Sequence, residues 1–149
     1  MPRGDRLKKE GRWMMDNKEL VKLAFEAKEK SYSPYSHFQV GAALLAKNGQ
    51  VYQGCNIESA SYTPTNCAER TAFFKAVSEG VTAFEAIAVV GGKRGEKAEL
   101  CYPCGVCRQV MAEFCDSDFR IIMGAEDGSI HETSLEEILP HRFGPADLA

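Results

Sequence analysis

Residues 86–123 read AIAVVGGKRGEKAELCYPCGVCRQVMAEFCDSDFRIIM, and their reading decides the fold. Ala86-Ile87-Ala88-Val89-Val90 is a continuous apolar run of strand length, and residues 119–123 repeat the pattern, as buried strands do. Between them lie a glycine- and charge-rich loop up to Tyr102 and a helical stretch from about Cys104 to Cys115. Strand, helix and strand of this length predict two parallel strands joined by a crossover, a connection that is nearly always right-handed.

Working upstream, residues 67–79 read as a second helix stopped by Gly80. Before it, residues 39–46 and 51–56 form a hairpin about Lys47-Asn48-Gly49-Gln50, with Asn-Gly suited to the positive φ angles of a type I′ turn. A first helix begins at Asp16, with Glu19 three residues on as a capping-box partner and Leu20, Leu23, Ala24 and Ala27 on one stripe. Ser31-Tyr32-Ser33-Pro34 ends it, because the residue before proline leaves the α region. Downstream, Asp127-Gly128 makes a turn into a strand over 129–133. Ser134 and Glu137 then cap a short helix ended by Pro140. The order predicts an α/β fold of three layers, a mixed five-stranded sheet between helices. Residues 1–15, charged and without periodicity, read as a flexible N-terminal arm; residues 16–149 read as one domain.

At 149 residues and 44% apolar, the chain can build one core without a metal staple, so a metal needs a chemical reason. A net charge of −3 argues against wrapping a phosphate backbone, so no nucleic-acid partner is expected. No apolar run approaches a membrane span, and the first residues carry no signal-like segment. Six cysteines in such a chain point to metal or catalysis rather than disulfides, and the protein reads as cytoplasmic.

Two of the helix starts carry chemistry: Asn66-Cys67-Ala68-Glu69-Arg70 and Pro103-Cys104-Gly105-Val106-Cys107-Arg108. Both should fall at the carboxyl edge of the sheet, where open α/β sheets bind ligands. Cys67, Cys104 and Cys107 can then face one point, a set suited to one zinc ion per chain with a fourth position open to water. Glu69 would stand beside that water as general acid and base, the arrangement general to zinc deaminases. Three thiolates make the site negative, so the helix N-termini, Arg70 and Arg108 are expected to offset them. A redox dithiol, or a closed structural site that adds Cys101, is the competing reading. Cys55 and Cys115 read as small core residues.

These residues resemble the small, zinc-bearing, homotetrameric cytidine deaminases. The resemblance runs from about Lys18 to the C-terminus. It rests on Ser33-Pro34-Tyr35-Ser36-His37-Phe38, Gly54-Cys55-Asn56-Ile57-Glu58, Cys67-Ala68-Glu69-Arg70-Thr71, Pro103-Cys104-Gly105-Val106-Cys107-Arg108-Gln109, and Leu139-Pro140 through Phe143. It implies hydrolytic deamination of cytidine and deoxycytidine in pyrimidine salvage, and a homotetramer whose neighbours complete each site. Asn56 and Glu58 would bind the ribose 3′-hydroxyl, Phe38 would wall the base, and Phe143 would come from a neighbouring subunit. Tyr62 and Tyr35 would line the pocket or subunit junction, and the backbone of Ala68 and Pro103 would meet the base. Tyr102 stands where serine is usual and Ser59 where asparagine is common, while the loop over 91–100 is extended and basic. A same-fold deaminase of another aminopyrimidine nucleoside, such as blasticidin S, and a non-catalytic zinc module are the rival functions.

Overall fold

The computed structural model describes residues 7–9 and 12–149, with side chains from Met15 onward. Two short strands, β1 (Leu7–Lys9) and β2 (Arg12–Met14), pair antiparallel, a feature that the aperiodic reading of residues 1–15 gave no sign of. The rest of that expected arm, residues 1–6, 10 and 11, lies outside the described residues.

The main sheet has the order β4-β3-β5-β6-β7. Its strands are β3 (Phe38–Ala46), β4 (Val51–Cys55), β5 (Phe84–Lys93), β6 (Arg120–Gly124) and β7 (Ile130–Ser134). Only β5 and β6 run parallel; the other neighbours are antiparallel, so the sheet is mixed, as expected. Four helices accompany it: α1 (Asn17–Lys28), α2 (Ala68–Ser78), α3 (Gly105–Phe114) and the single turn α4 (Leu135–Ile138). Alternation along each strand separates the layers. Ala43, Leu45, Ala86, Ala88, Val90 and Ile122 pack with α1. Ala42, Leu44, Ile87, Val89, Ile121 and Met123 pack on the opposite face with Phe73 of α2 and Met111 of α3. Among the described residues no helix is long and apolar enough to cross a membrane.

Four local details depart from the sequence expectation. The Asp16 carboxylate caps the N–H of Lys18 at 2.9 Å, and Glu19 Oε2 is buried without a hydrogen-bond partner, so the capping box does not close. At the β3–β4 turn only Gly49 has positive φ, at 88°; Asn48 stays at negative φ, which excludes a type I′ turn. Helix α1 ends at Lys28 with Glu29 as its cap, ahead of Ser31, where the N–H groups of Lys30 and Ser31 turn back tightly to the Ala27 and Lys28 carbonyls at 3.0 and 3.1 Å. Strand β5 runs on through Gly91 and Gly92 to Lys93, since pairing with Phe38, Gln39 and Val40 outweighs the poor strand propensity of glycine.

One glycine fixes where the site forms. A Cβ on Gly54 of β4 would lie 2.4 Å from the Ala68 carbonyl and 2.6 Å from the Ala72 nitrogen, so only glycine lets α2 sit this close to the sheet. That contact presses the first turn of α2, which carries Cys67 and Glu69, onto the strand that delivers Asn56.

Candidate active site

Cys67 is the N-cap of α2 and Cys104 the N-cap of α3, and neither sulfur hydrogen-bonds back to its own helix. Both thiols are therefore free of the usual capping duty and available to a ligand. Cys107 sits in the first turn of α3 and is buried. The Cys67 and Cys104 sulfurs lie 3.8 Å apart, those of Cys104 and Cys107 3.6 Å, and all three within 4.8 Å of one another. A tetrahedral zinc with bonds of about 2.3 Å to sulfur sets its ligands about 3.8 Å apart, so the donor set fits zinc in both chemistry and spacing. Three protein ligands leave a fourth position.

Arg70 donates through Nη2 to Cys67 Sγ at 3.3 Å. The Cys67 thiol is drawn down to about 5, first by the hydrogen bond from Cys107 and then by the bond and charge of Arg70, against the opposing effect of burial. The Cys107 thiol moves up, because it gives its hydrogen bond to Cys67 and is buried. Arg108 does not share the task expected of it. Its Nε donates to the Pro103 carbonyl at 2.8 Å and its Nη1 to the Ile138 carbonyl at 2.7 Å, which ties α3 to the end of α4. Both arginines follow a ligand segment; the side-chain direction that separates them is set by helix packing, which no motif encodes.

Glu69 is 4% exposed in the first turn of α2. Burial, reinforced by the neighbouring Cys67 charge, pushes its carboxyl up to about 7, the range in which one group can both take and give a proton. Cys101 stands apart from the three-sulfur cluster among the described residues. Its sulfur lies against Gly91, where a Cβ would come within 2.9 Å of it and 3.2 Å of Phe38 Cε1. Burial pushes the Cys101 thiol up to about 11, and the nearby Glu69 and Cys67 charges add to that. Phe38, Cys101 and Glu69 are thereby linked in one neighbourhood. Cys115 packs at the core edge, and Cys55 donates to the Lys30 carbonyl at 3.4 Å.

Asn56 follows β4. Its Oδ1 accepts from the Val40 N–H at 2.9 Å and from the Ser31 hydroxyl, and its Nδ2 donates to the Phe38 carbonyl at 2.8 Å. Glu58 Oε1 accepts the N–H groups of Tyr35 and Ser36, each at 3.1 Å, and hydrogen bonding from Ser36 holds its carboxyl below the ordinary value. Ala68 is fully buried at the start of α2. Tyr62 and Phe143 are 78% and 59% exposed, so the single chain leaves both rings uncovered. The Phe143 carbonyl is held by Gln109 Nε2 of α3 at 2.8 Å. Ser31 was read only as part of a helix stop; its contact with Asn56 is long-range, and the sequence carries no local signal for it.

Residues 14–123 match the family described as the cytidine and deoxycytidylate deaminase zinc-binding region. The chain belongs to that family. A cytidine deaminase from Sporosarcina psychrophila is 50% identical over 135 residues, covering 91% of this chain and 96% of its own length. One from Halalkalibacterium halodurans is 52% identical over 134 residues, covering 90% and 98%. The crystal structure of cytidine deaminase from Burkholderia pseudomallei superposes with a TM-score of 0.79 at 44% identity, over 87% of this chain and all (100%) of that one. The family's zinc and the three converging sulfurs agree on one metal ion per chain.

Proposed function

We propose that this member of the family is a zinc-dependent cytidine deaminase that converts cytidine and deoxycytidine, with water, to the uridine nucleosides and ammonia. The observation that carries the reading is the buried Glu69 carboxyl two residues from Cys67, one of three sulfurs at zinc-ligand spacing. Cys67, Cys104 and Cys107 hold the ion, which when bound supplies the Lewis acidity that lets a water lose its proton near neutral pH. Glu69 accepts that proton and delivers it to ring N3, which makes C4 electrophilic; after water adds at C4, Glu69 takes the proton of the new C4 hydroxyl and passes it to the amine, which departs as ammonia and leaves the C4 carbonyl. Its pKa of about 7 suits both directions. Arg70 compensates thiolate charge through Cys67, and the backbone at Ala68 and Pro103 meets the base.

Asn56 and Glu58 bind the sugar, Phe38 walls the base, and Tyr62 and Phe143 serve the pocket from the subunit junction. The exposed rings of Tyr62 and Phe143, with Ile57, Tyr102 and Val106 also exposed, support a homotetramer in which neighbours complete each site. We place the enzyme in the cytoplasm, in pyrimidine salvage. The relatives at about half identity are cytidine deaminases, and Glu69 has no role in a purely structural zinc module, so neither rival is favoured. Ammonia release on cytidine, deoxycytidine, cytidine monophosphate, cytosine and blasticidin S tests the reading. Turnover confined to the free nucleosides supports it, and turnover of blasticidin S alone overturns it. Light scattering should give four times the 16.4 kDa chain mass.

A further inference from the structure

The carboxamide of Asn56 is unusually fully engaged for a side chain meant to meet a ligand. An amide oxygen accepts two hydrogen bonds and an amide nitrogen donates two. The Val40 N–H can only donate and the Phe38 carbonyl can only accept, so these two backbone groups fix which end of the amide is which. The Ser31 hydroxyl takes the remaining lone pair of Oδ1. One N–H of Nδ2 is left. Beside it, Glu58 Oε1 takes the N–H groups of Tyr35 and Ser36 and the Ser36 side chain also bonds the carboxylate, three of its roughly four acceptor sites, so one is left. The pair thus presents one donor and one acceptor, the complement of a single hydroxyl.

Ser31 itself is held from behind. Its N–H bonds the Lys28 carbonyl at 3.1 Å, and its Oγ lies 3.1 Å from that of Ser33, which is only 1% exposed. Ser31 has one hydroxyl hydrogen, with Ser33 Oγ and Asn56 Oδ1 both in reach of it, and because Oδ1 can only accept, the contact between Ser31 and Asn56 requires the hydrogen to lie on it. The bond from Ser31 to Asn56 leads on to the free N–H, and each bond in such a row polarises the next.

We propose that Ser31 is a positioning residue for sugar recognition: it closes the second lone pair of Asn56 and so aims and polarises the one N–H left for the nucleoside's 3′-hydroxyl. This rests on the reading of Asn56 and Glu58 as the sugar-binding pair. The test is steady-state kinetics on cytidine and on 3′-deoxycytidine, which lacks the hydroxyl, with zinc content measured on each variant. Ser31→Ala should raise KM for cytidine about fivefold, the worth of one ordinary hydrogen bond, with kcat little changed. It should leave KM for 3′-deoxycytidine at the parent's value, and Ser31→Thr should restore cytidine binding. A general loosening of the fold raises both KM values together, so an unchanged ratio between the substrates overturns the proposal.

Asn56→Ala separates the two layers of inference. If it fails to discriminate the substrates, the sugar-pair reading falls; if it discriminates and Ser31→Ala does not, only the role of Ser31 falls. Should Ser31→Ala not fold, Ser31→Cys keeps the volume with a weaker donor and must show a smaller shift of the same ratio.

Discussion

Replacing Arg70 by alanine probes the electrostatics of a three-thiolate site. Three thiolates on a divalent ion leave one net negative charge, which holds the proton of a bound water more tightly. Arg70 offsets that charge from 3.3 Å, through the sulfur of Cys67. Hydrogen bonds to charged groups contribute about 1.5–3 kcal/mol, and about 1.4 kcal/mol is a factor of ten, so zinc affinity should fall roughly 10- to 100-fold in Arg70→Ala. That range matches the usual effect of removing a partner of a metal ligand. The pH dependence has a definite sign. Zinc needs the thiolate, and the Cys67 thiol, at about 5, is held down by the Cys107 hydrogen bond and next by Arg70. Without the guanidinium its pKa rises, protons compete better, and zinc is released at higher pH on acidification. Competition with a chromogenic chelator across a pH series measures both effects, and turnover in excess zinc should also drop. Arg70→Lys, a point charge without the fork, should fall between. Chelator curves and turnover that superimpose on the parent's at every pH would refute the role.

Metal-free protein should show what Glu69 costs the fold. Its carboxyl rises from the ordinary 4.5 to about 7, so its contribution is fully present below pH 4.5 and is lost as pH rises through 7. The loss is about 3 kcal/mol, and in urea titrations of zinc-stripped protein Glu69→Gln should lack that decline; parallel pH curves count against it. Gly54→Ala drives a Cβ to 2.4 Å from the Ala68 carbonyl, backbone that cannot step aside. A loss of about 3 kcal/mol and weaker zinc binding are expected from thermal melting and metal analysis, and an unchanged melt refutes the close approach. Cys101→Ser should keep a full zinc complement, since Cys101 packs against Gly91 and Phe38; loss of zinc would restore a four-cysteine site.

The layers and the metal set were legible because they depend on pattern and topology. Apolar runs separated the strands, Gly80 stopped α2, and the crossover logic brought two helix starts to one edge, where the sulfurs of Cys67 and Cys104 now lie 3.8 Å apart. Turn type was not legible. Asn-Gly permits a type I′ turn without requiring it, and here Gly49 alone takes positive φ. The end of α1 came ahead of Ser31 because the Lys30 and Ser31 N–H groups already close tight turns on Ala27 and Lys28, before Pro34 has any effect. Adjacent sequence positions could not distinguish Arg70, which reaches a thiolate, from Arg108, which reaches two carbonyls. The engagement of Asn56 by Ser31, Val40 and Phe38 was likewise invisible, since it joins three segments that only the folded sheet brings together.

The most direct test is zinc stoichiometry and ammonia release measured on one preparation of Glu69→Gln with cytidine as substrate. Glutamine keeps the size and polarity of Glu69 but cannot carry the proton. The expected result is one zinc per chain with turnover lowered by about 10³-fold or more. Turnover within about tenfold of the parent's would contradict Glu69 as the group that moves the proton, because general acid–base catalysis contributes at least about 10²-fold.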